Sequence, residues 1–301
     1  MLPTVSVIIP THNRWPMVRA AVDSVLAQSY REFELIVVDD GSTDRTATEL
    51  ASFGARLHYI YQPRSGVSAA RNLGVRQSRG RLIAFLDSDD LWQPAKLQVQ
   101  VSFMATRPEV QICQTDEVWI RHGVRVNPKL KHRKPSGDIF ARSLELCLVS
   151  PSAAMITREL FERSGGFDES LPVCEDYDLW LRIARDYPVP LIEQALVVKH
   201  GGHSDQLSQS VWGMDRYRVA ALQKLLRAGI AGQQRSAVLR VWQKKLAVLA
   251  HGARKRGKVA DADGYCAMLS EFAGEMGDVR ERVSQFRGGE GLSSADAGPL
   301  A

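Results

Sequence analysis

Long apolar runs are missing from this sequence. No stretch approaches the ~20 consecutive apolar residues that cross a bilayer, and Met1-Leu2-Pro3-Thr4 leads straight into a strand pattern without the layout of a signal peptide. These absences predict a cytoplasmic protein. Cysteine is scarce too. Cys113, Cys147, Cys174 and Cys266 lie far apart with no CxxC pair, which argues for reduced, mostly buried thiols over disulfides or zinc ligands. No GxGxxG follows the first strand, so a dinucleotide oxidoreductase is excluded. The same position holds Pro10-Thr11-His12-Asn13 and not the glycine-rich, Lys/Arg-bearing loop of a sugar-nucleotide pyrophosphorylase. Acidic residues vanish altogether between residues 216 and 260, where twelve lysines and arginines occur.

What is present fits a globular enzyme. The 301 residues, 45% hydrophobic and 24% charged, suffice for one large or two modest domains with a sizeable core. The net charge of +5 points to an anionic partner. In the first third, strand-like runs at residues 5–9, 33–38, 57–61 and 82–86, the first of them β-branched and the last wholly apolar, alternate with helical segments over residues 14–28, 42–50 and 68–77. This β-α-β-α order predicts a mainly parallel sheet with helices on both faces. In such sheets ligands bind at the carboxyl ends of the strands. The polar clusters Thr11-His12-Asn13, Asp39-Asp40 and Asp87-Ser88-Asp89-Asp90 all fall there. Three carboxylates at one strand end repel each other unless a cation sits among them. Oxygen ligands suit Mg²⁺ or Mn²⁺, ions that usually serve phosphates. The residues thus point to an enzyme that holds a diphosphate through a divalent metal.

Val7-Ile8-Ile9-Pro10-Thr11-His12-Asn13, Val37-Val38-Asp39-Asp40-Gly41-Ser42-Thr43-Asp44, Gly66-Val67-Ser68-Ala69-Ala70-Arg71-Asn72 and Phe85-Leu86-Asp87-Ser88-Asp89-Asp90 resemble the successive motifs of the family 2 inverting glycosyltransferases with the GT-A fold. Glu175-Asp176-Tyr177-Asp178-Leu179-Trp180 is similar to that family's acceptor-side motif, and the resemblance spans roughly residues 4–210. It implies a nucleotide-sugar donor, with UDP as the nucleotide, a divalent metal, and single-displacement transfer to a hydroxyl. Carried onto these positions, it assigns Asp39 or Asp40 to the base or ribose, with Pro10, Thr11, Asn13 and Ser88 also in the donor pocket. Arg71 either reaches the diphosphate or buttresses the aspartates. Asp89 ligates the metal, and Asp87 meets the ribose or a metal-bound water. Asp176 is the general base, and Glu175 either bonds the acceptor sugar or orients Asp176. His203, five residues before Ser208, matches the spacing of a family histidine near the diphosphate. It is expected as a third metal ligand or a diphosphate contact, and an imidazole there would favour manganese.

Beyond the motifs the signal weakens. Residues 121–134 hold six lysines and arginines and no acid, which reads as a mobile loop over the donor, a contact with an anionic acceptor or a solvated surface. Leu222, Leu225, Leu226, Val238, Leu239, Trp242, Leu246 and Leu249 recur at helical spacing and predict basic amphipathic helices. Such helices either lie on an anionic membrane or expose an ordinary basic face. The expected organisation is a GT-A catalytic domain over residues 1–212, with a nucleotide-sugar half over 1–115 and an acceptor half over 116–212. A basic helical extension over 213–286, including a helix at about 260–286, and a disordered tail over 287–301 would follow. The acceptor is expected to be a glycan or a lipid-linked glycan of the cell envelope, reached from the inner face of the membrane. The alternative is a non-catalytic protein that binds nucleotide sugar or an anionic surface. A nucleic-acid partner is not expected, because carboxylates repel phosphate unless metal-bound.

Overall fold

The computed structural model describes residues 3–127, 129–202 and 213–275. The chain divides into two compact units, Met1–Ala221 and Leu222–Ala301. In the first, β1 (Val5–Thr11), α1 (Met17–Leu26), β2 (Phe33–Asp40), α2 (Thr46–Leu50), β3 (His58–Gln62), α3 (Val67–Arg76) and β4 (Leu82–Phe85) form the parallel half of a sheet, in the order β3-β2-β1-β4. The chain continues through β5 (Leu91–Trp92), α4 (Lys96–Ala105), β6 (Ile112–Arg121), β7 (Val124–Val126), α5 (Phe140–Ser143), β8 (Ala154–Thr157), α6 (Arg158–Arg163), α7 (Glu175–Ala184) and β9 (Leu191–Gly201). Here the sheet turns mixed. β8 joins β4 antiparallel, β6 follows, β9 runs parallel to β6, and β5 closes that edge antiparallel to β9.

The period-2 pattern of the strands sorts side chains onto two faces. Val5, Val7, Ile9, Leu35 and Val37 meet Val18, Val22 and Val25 of α1 in the main core. The alternate residues Ile36 and Val38 pack on Ala70 of α3. The α1 contacts recur at helical spacing, which is why that segment is a helix with one buried stripe. On the other face α3 lies very close to the sheet. A Cβ on Gly74 would stand 2.5 Å from Cγ2 of Ile8, so only glycine fits there.

The strands run further than their apolar runs suggest. β1 continues through Pro10, because the Leu86 N–H donates to the Ile8 carbonyl and the Pro10 backbone therefore faces the β4 side. The register with β4 ends at Ile8↔Phe85, so the missing proline N–H costs no ladder bond. β2 takes in both aspartates, which pair in register with Tyr61 and Gln62 of β3.

In the second unit, α9 (Gly232–Lys255) and α10 (Val259–Leu269) follow α8 (Asp215–Arg227), which crosses the boundary between units. Basic helices are present as expected. The last one ends at Leu269 in a 3-10 turn, Ser270–Glu275, and the remainder of the expected 260–286 helix lies outside the described residues. Within this unit the Trp242 and Phe272 rings meet edge-on at 5.3 Å, and Arg227 pairs with Glu271 at 2.9 Å. No helix among the described residues is long and apolar enough to cross a membrane.

Candidate active site

The carboxyl ends of β1, β2 and β4 bring the first three polar clusters to one edge. At β2, the fully buried Asp39 accepts from the Tyr59 hydroxyl at 2.7 Å and the Ser42 N–H at 2.8 Å. Burial, reinforced by this bond to a carboxylate, raises the Tyr59 phenol above its ordinary range. Asp40 accepts from Gln62 Nε2 and the Ser65 N–H at 2.7 Å each, and from the Gly66 N–H at 2.9 Å. It therefore fixes the loop that opens α3. At β1, Asn13 accepts from the Thr43 N–H at 2.7 Å and the Asp44 N–H at 3.2 Å, and the Ser42 hydroxyl accepts from the Asn13 N–H at 2.8 Å. These bonds hold the turn after β2 in place of the helix expected from residue 42, and α2 starts only at Thr46. Pro10 and Thr11 are buried in β1, and the Thr11 hydroxyl meets no hydrogen-bond partner among the described residues. Such an orphan at a strand end is a group a ligand can satisfy.

Arg71 of α3 is the hub of the acidic edge. Its Nη1 donates to Glu175 at 2.6 Å and its Nη2 to Asp87 at 2.7 Å, while the guanidinium lies over the Phe167 ring at 5.0 Å. One planar fork thus joins the segment after β4 to the start of α7. Ser88 beside it is buried. Asp89 pairs with Arg14 at 3.0 Å. Asp90 is buried, accepting from the Ser152 hydroxyl at 2.7 Å and from the His200 N–H at 3.0 Å. Burial raises its pKa well above the ordinary carboxylate range. Lys199 opposes this rise, and Asp87 and Asp89 add to it. Ser152 also accepts the Asp87 N–H at 3.1 Å, so one hydroxyl sets both ends of the turn.

Glu175 and Asp176 lie in the first turn of α7, where the helix dipole favours carboxylates. Glu175 is buried. That burial, with the neighbouring Asp176 charge, pushes it up to about 7, although Arg71 opposes the shift. Asp176 is half-buried and accepts the Tyr177 N–H at 2.7 Å. The Cys147 thiol donates to the Val149 carbonyl at 3.3 Å, and burial together with the nearby Asp176 charge keeps it protonated. Lys199 is driven up despite its burial by Glu117, Asp90, Asp87 and Asp176, so these groups share one electrostatic environment. Arg14, Ser152, Lys199 and Cys147 were not singled out by the motifs. Arg14 directly follows one of them, but nothing local marks Ser152 or Cys147, which reach the site only through the fold.

Among the described residues no three His, Cys, Asp or Glu side chains form a metal cage, and His203 lies outside those residues. The donor chemistry nevertheless fits a hard dication, which takes one or two carboxylates and completes its shell with phosphate oxygens and water. Asp87, Asp89, Asp90, Glu175 and Asp176 outnumber Arg14, Arg71 and Lys199. The raised Asp90 and Glu175 are what such an excess of negative charge, added to burial, produces.

A sheet with this topology, carrying its acidic groups at the strand ends, is the GT-A architecture of a sugar transferase. The family model for glycosyl transferase family 2 matches residues 6–165, and the chain belongs to that family. It is 32% identical over 213 residues to an uncharacterized glycosyltransferase of Rickettsia typhi, covering 69% of this chain and 67% of that one. It is 29% identical over 216 residues to WfgD of Escherichia coli, a UDP-Glc:alpha-D-GlcNAc-diphosphoundecaprenol beta-1,3-glucosyltransferase, covering 71% of this chain and 81% of that one. In fold it is similar to residues 1–349 of S. aureus TarS, solved in complex with UDP-GlcNAc. That likeness has a TM-score of 0.71 at 18% identity and covers 95% of this chain and 87% of that one.

Proposed function

We propose that this glycosyltransferase moves a sugar from a nucleoside diphosphate, UDP by preference, to a hydroxyl of a glycan or lipid-linked acceptor, with inversion in a single displacement. The observation that carries the reading is the Arg71 bridge between Asp87 and Glu175. It ties the donor-side strand end to the helix that bears Asp176. In this reading residues 1–115 form the donor half, with Asp39, Asp40, Pro10, Thr11 and Ser88 lining the nucleotide pocket and Asn13 shaping it from behind. Residues 116–212 form the acceptor half, and the basic helices of residues 213–286 are an extension.

Asp89, with His203, would hold Mn²⁺ or Mg²⁺, which when bound neutralises charge developing on the leaving diphosphate. The chain's own work is positioning and proton transfer. The acceptor oxygen attacks the anomeric carbon, its proton passes to the Asp176 carboxylate, and the bond from that carbon to the diphosphate breaks. Glu175, held by Arg71, fixes the helix turn from which Asp176 projects. The likeness to WfgD, whose acceptor is a diphosphoundecaprenol-linked sugar, supports a lipid-linked diphosphate acceptor.

Replacement of Asp176 by Asn tests the assignment. Transfer is expected to fall by about 10²–10⁴-fold, the usual range for loss of a general base, while UDP affinity measured by calorimetry stays within about twofold. Asp89→Ala is expected to lose metal-dependent UDP binding as well. Loss of UDP binding in Asp176→Asn would remove Asp176 from the role of base.

A further inference from the structure

The basic segment after β6 has a defined shape. β6 and β7 form a hairpin whose two-residue turn, His122–Gly123, has φ of +48° and +76°, the twist a tight hairpin requires. Its base is anchored: Lys134 pairs with Glu117 at 3.0 Å, both nearly buried, and the Trp119 ring lies against His132. Beyond the anchor the segment is open. Val124 is 65% exposed and Leu130 87% exposed, among the most exposed large apolar side chains described. Around them Arg121, Arg125, Lys129 and Lys131 are exposed, and no ion pair with a carboxylate is formed by them among the described residues. The crowding of cations registers on His132, which burial and then Lys131, Lys129 and Arg121 hold below its ordinary value.

We infer that this hairpin and the loop after it dock on an anionic lipid bilayer, with Val124 and Leu130 entering the interface and Arg125, Lys129 and Lys131 meeting lipid phosphates. Cations beside aliphatic tips match such a surface on both counts, because charge attracts the headgroups and apolar atoms gain by leaving water. A nucleic acid rewards the cations but not exposed aliphatic side chains; its bases stack on aromatic ones. Position supports the assignment. β6 is parallel to β9, with Ile120↔His200 and Arg121↔Gly201 in register, and the His200 N–H bonds Asp90. The hairpin therefore projects from the edge of the sheet that carries the acidic site, and its His122 ring lies against Gly202. Delivery of a membrane-borne acceptor to Asp176 rests on the function proposed above, whereas docking itself does not.

The test is sedimentation of the full chain with phosphatidylcholine vesicles, with and without phosphatidylglycerol, in the absence of nucleotide. Wild type is expected to pellet only with the anionic vesicles and to be released by salt. At about 1 kcal/mol per cation near the surface, Arg125→Gln with Lys131→Gln should weaken partitioning by roughly 30-fold. Leu130→Asp, which keeps every cation, should also weaken it. UDP binding by these variants should stay at the wild-type level, which shows that they fold. Asp89→Ala should lose UDP and still pellet, so that docking and the transferase reading fail independently. Wild-type partitioning of the hairpin variants would overturn the inference. So would loss of binding only on changing Arg240 and Lys244 of α9, equal binding to neutral vesicles, or hairpin-dependent binding of RNA with none to vesicles.

Discussion

Arg71 shows how a single side chain can define a site. Its three nitrogens and flat geometry let it bond Glu175 and Asp87 at once; burial works against its charge, and the two carboxylates more than offset that and keep it protonated. Lysine has a point charge and cannot span both partners. Arg71→Lys is therefore expected to leave one buried carboxylate unpaired, costing about 3 kcal/mol in urea denaturation and most of the transfer activity. Equal stability of variant and wild type would show that the bridge is not what holds the two motifs together. The arginine was legible in the sequence as part of a motif, but its carboxylate partners were not, since they lie 16 and 104 residues away in the chain. Asp39, Asp40 and Asn13 raise a related point. Their carboxylate and amide oxygens already accept protein hydrogen bonds, so each of them holds the loops after β2 and β3 in place.

At the scale of elements, the parallel half was readable because each strand is a short run rich in apolar or aromatic residues, closed by polar or turn residues. The antiparallel half was not. β6 reads Ile112-Cys113-Gln114-Thr115-Asp116-Glu117-Val118-Trp119-Ile120-Arg121, mixing polar and apolar residues because neighbours from β8, β9 and β7 replace a continuous apolar face. Gly74 gives the packing of α3 on β1 a direct test. Alanine is a better helix former than glycine by about 1 kcal/mol. Its methyl, however, would meet Ile8 Cγ2 at 2.5 Å and Val38 Cγ2 at 3.3 Å, and overpacking of this kind costs about 1–3 kcal/mol. Gly74→Ala is expected to lower the melting temperature; a rise would mean that α3 can lift off the sheet without penalty.

For the whole molecule, the buried acids impose a pH dependence. Glu175 keeps its proton up to about 7 in the folded chain, against 4.5 for the free side chain. Between these values the folded state binds more protons than the unfolded one, so stability falls as pH rises through that window and is level above it. Glu175→Gln removes the titrating group and should give a flatter stability curve from pH 5 to 7.5 by thermal melts. Parallel curves for variant and wild type would place the Glu175 titration elsewhere. Bound metal should also weaken the dependence, because a dication among the carboxylates favours their ionised forms.

The sequence on its own determined the α/β class, the family and the order in which acidic clusters would reach the strand ends, because strand periodicity and turn chemistry are local. Only the tertiary structure decided which cation faces which carboxylate, Arg71 across Asp87 and Glu175 and Arg14 on Asp89, and which hydroxyl, that of Ser152, bonds both the Asp87 N–H and the Asp90 carboxylate. These pairings depend on distances between chain segments far apart in sequence. In a buried site it is such distances, more than residue type, that set how strongly charges interact.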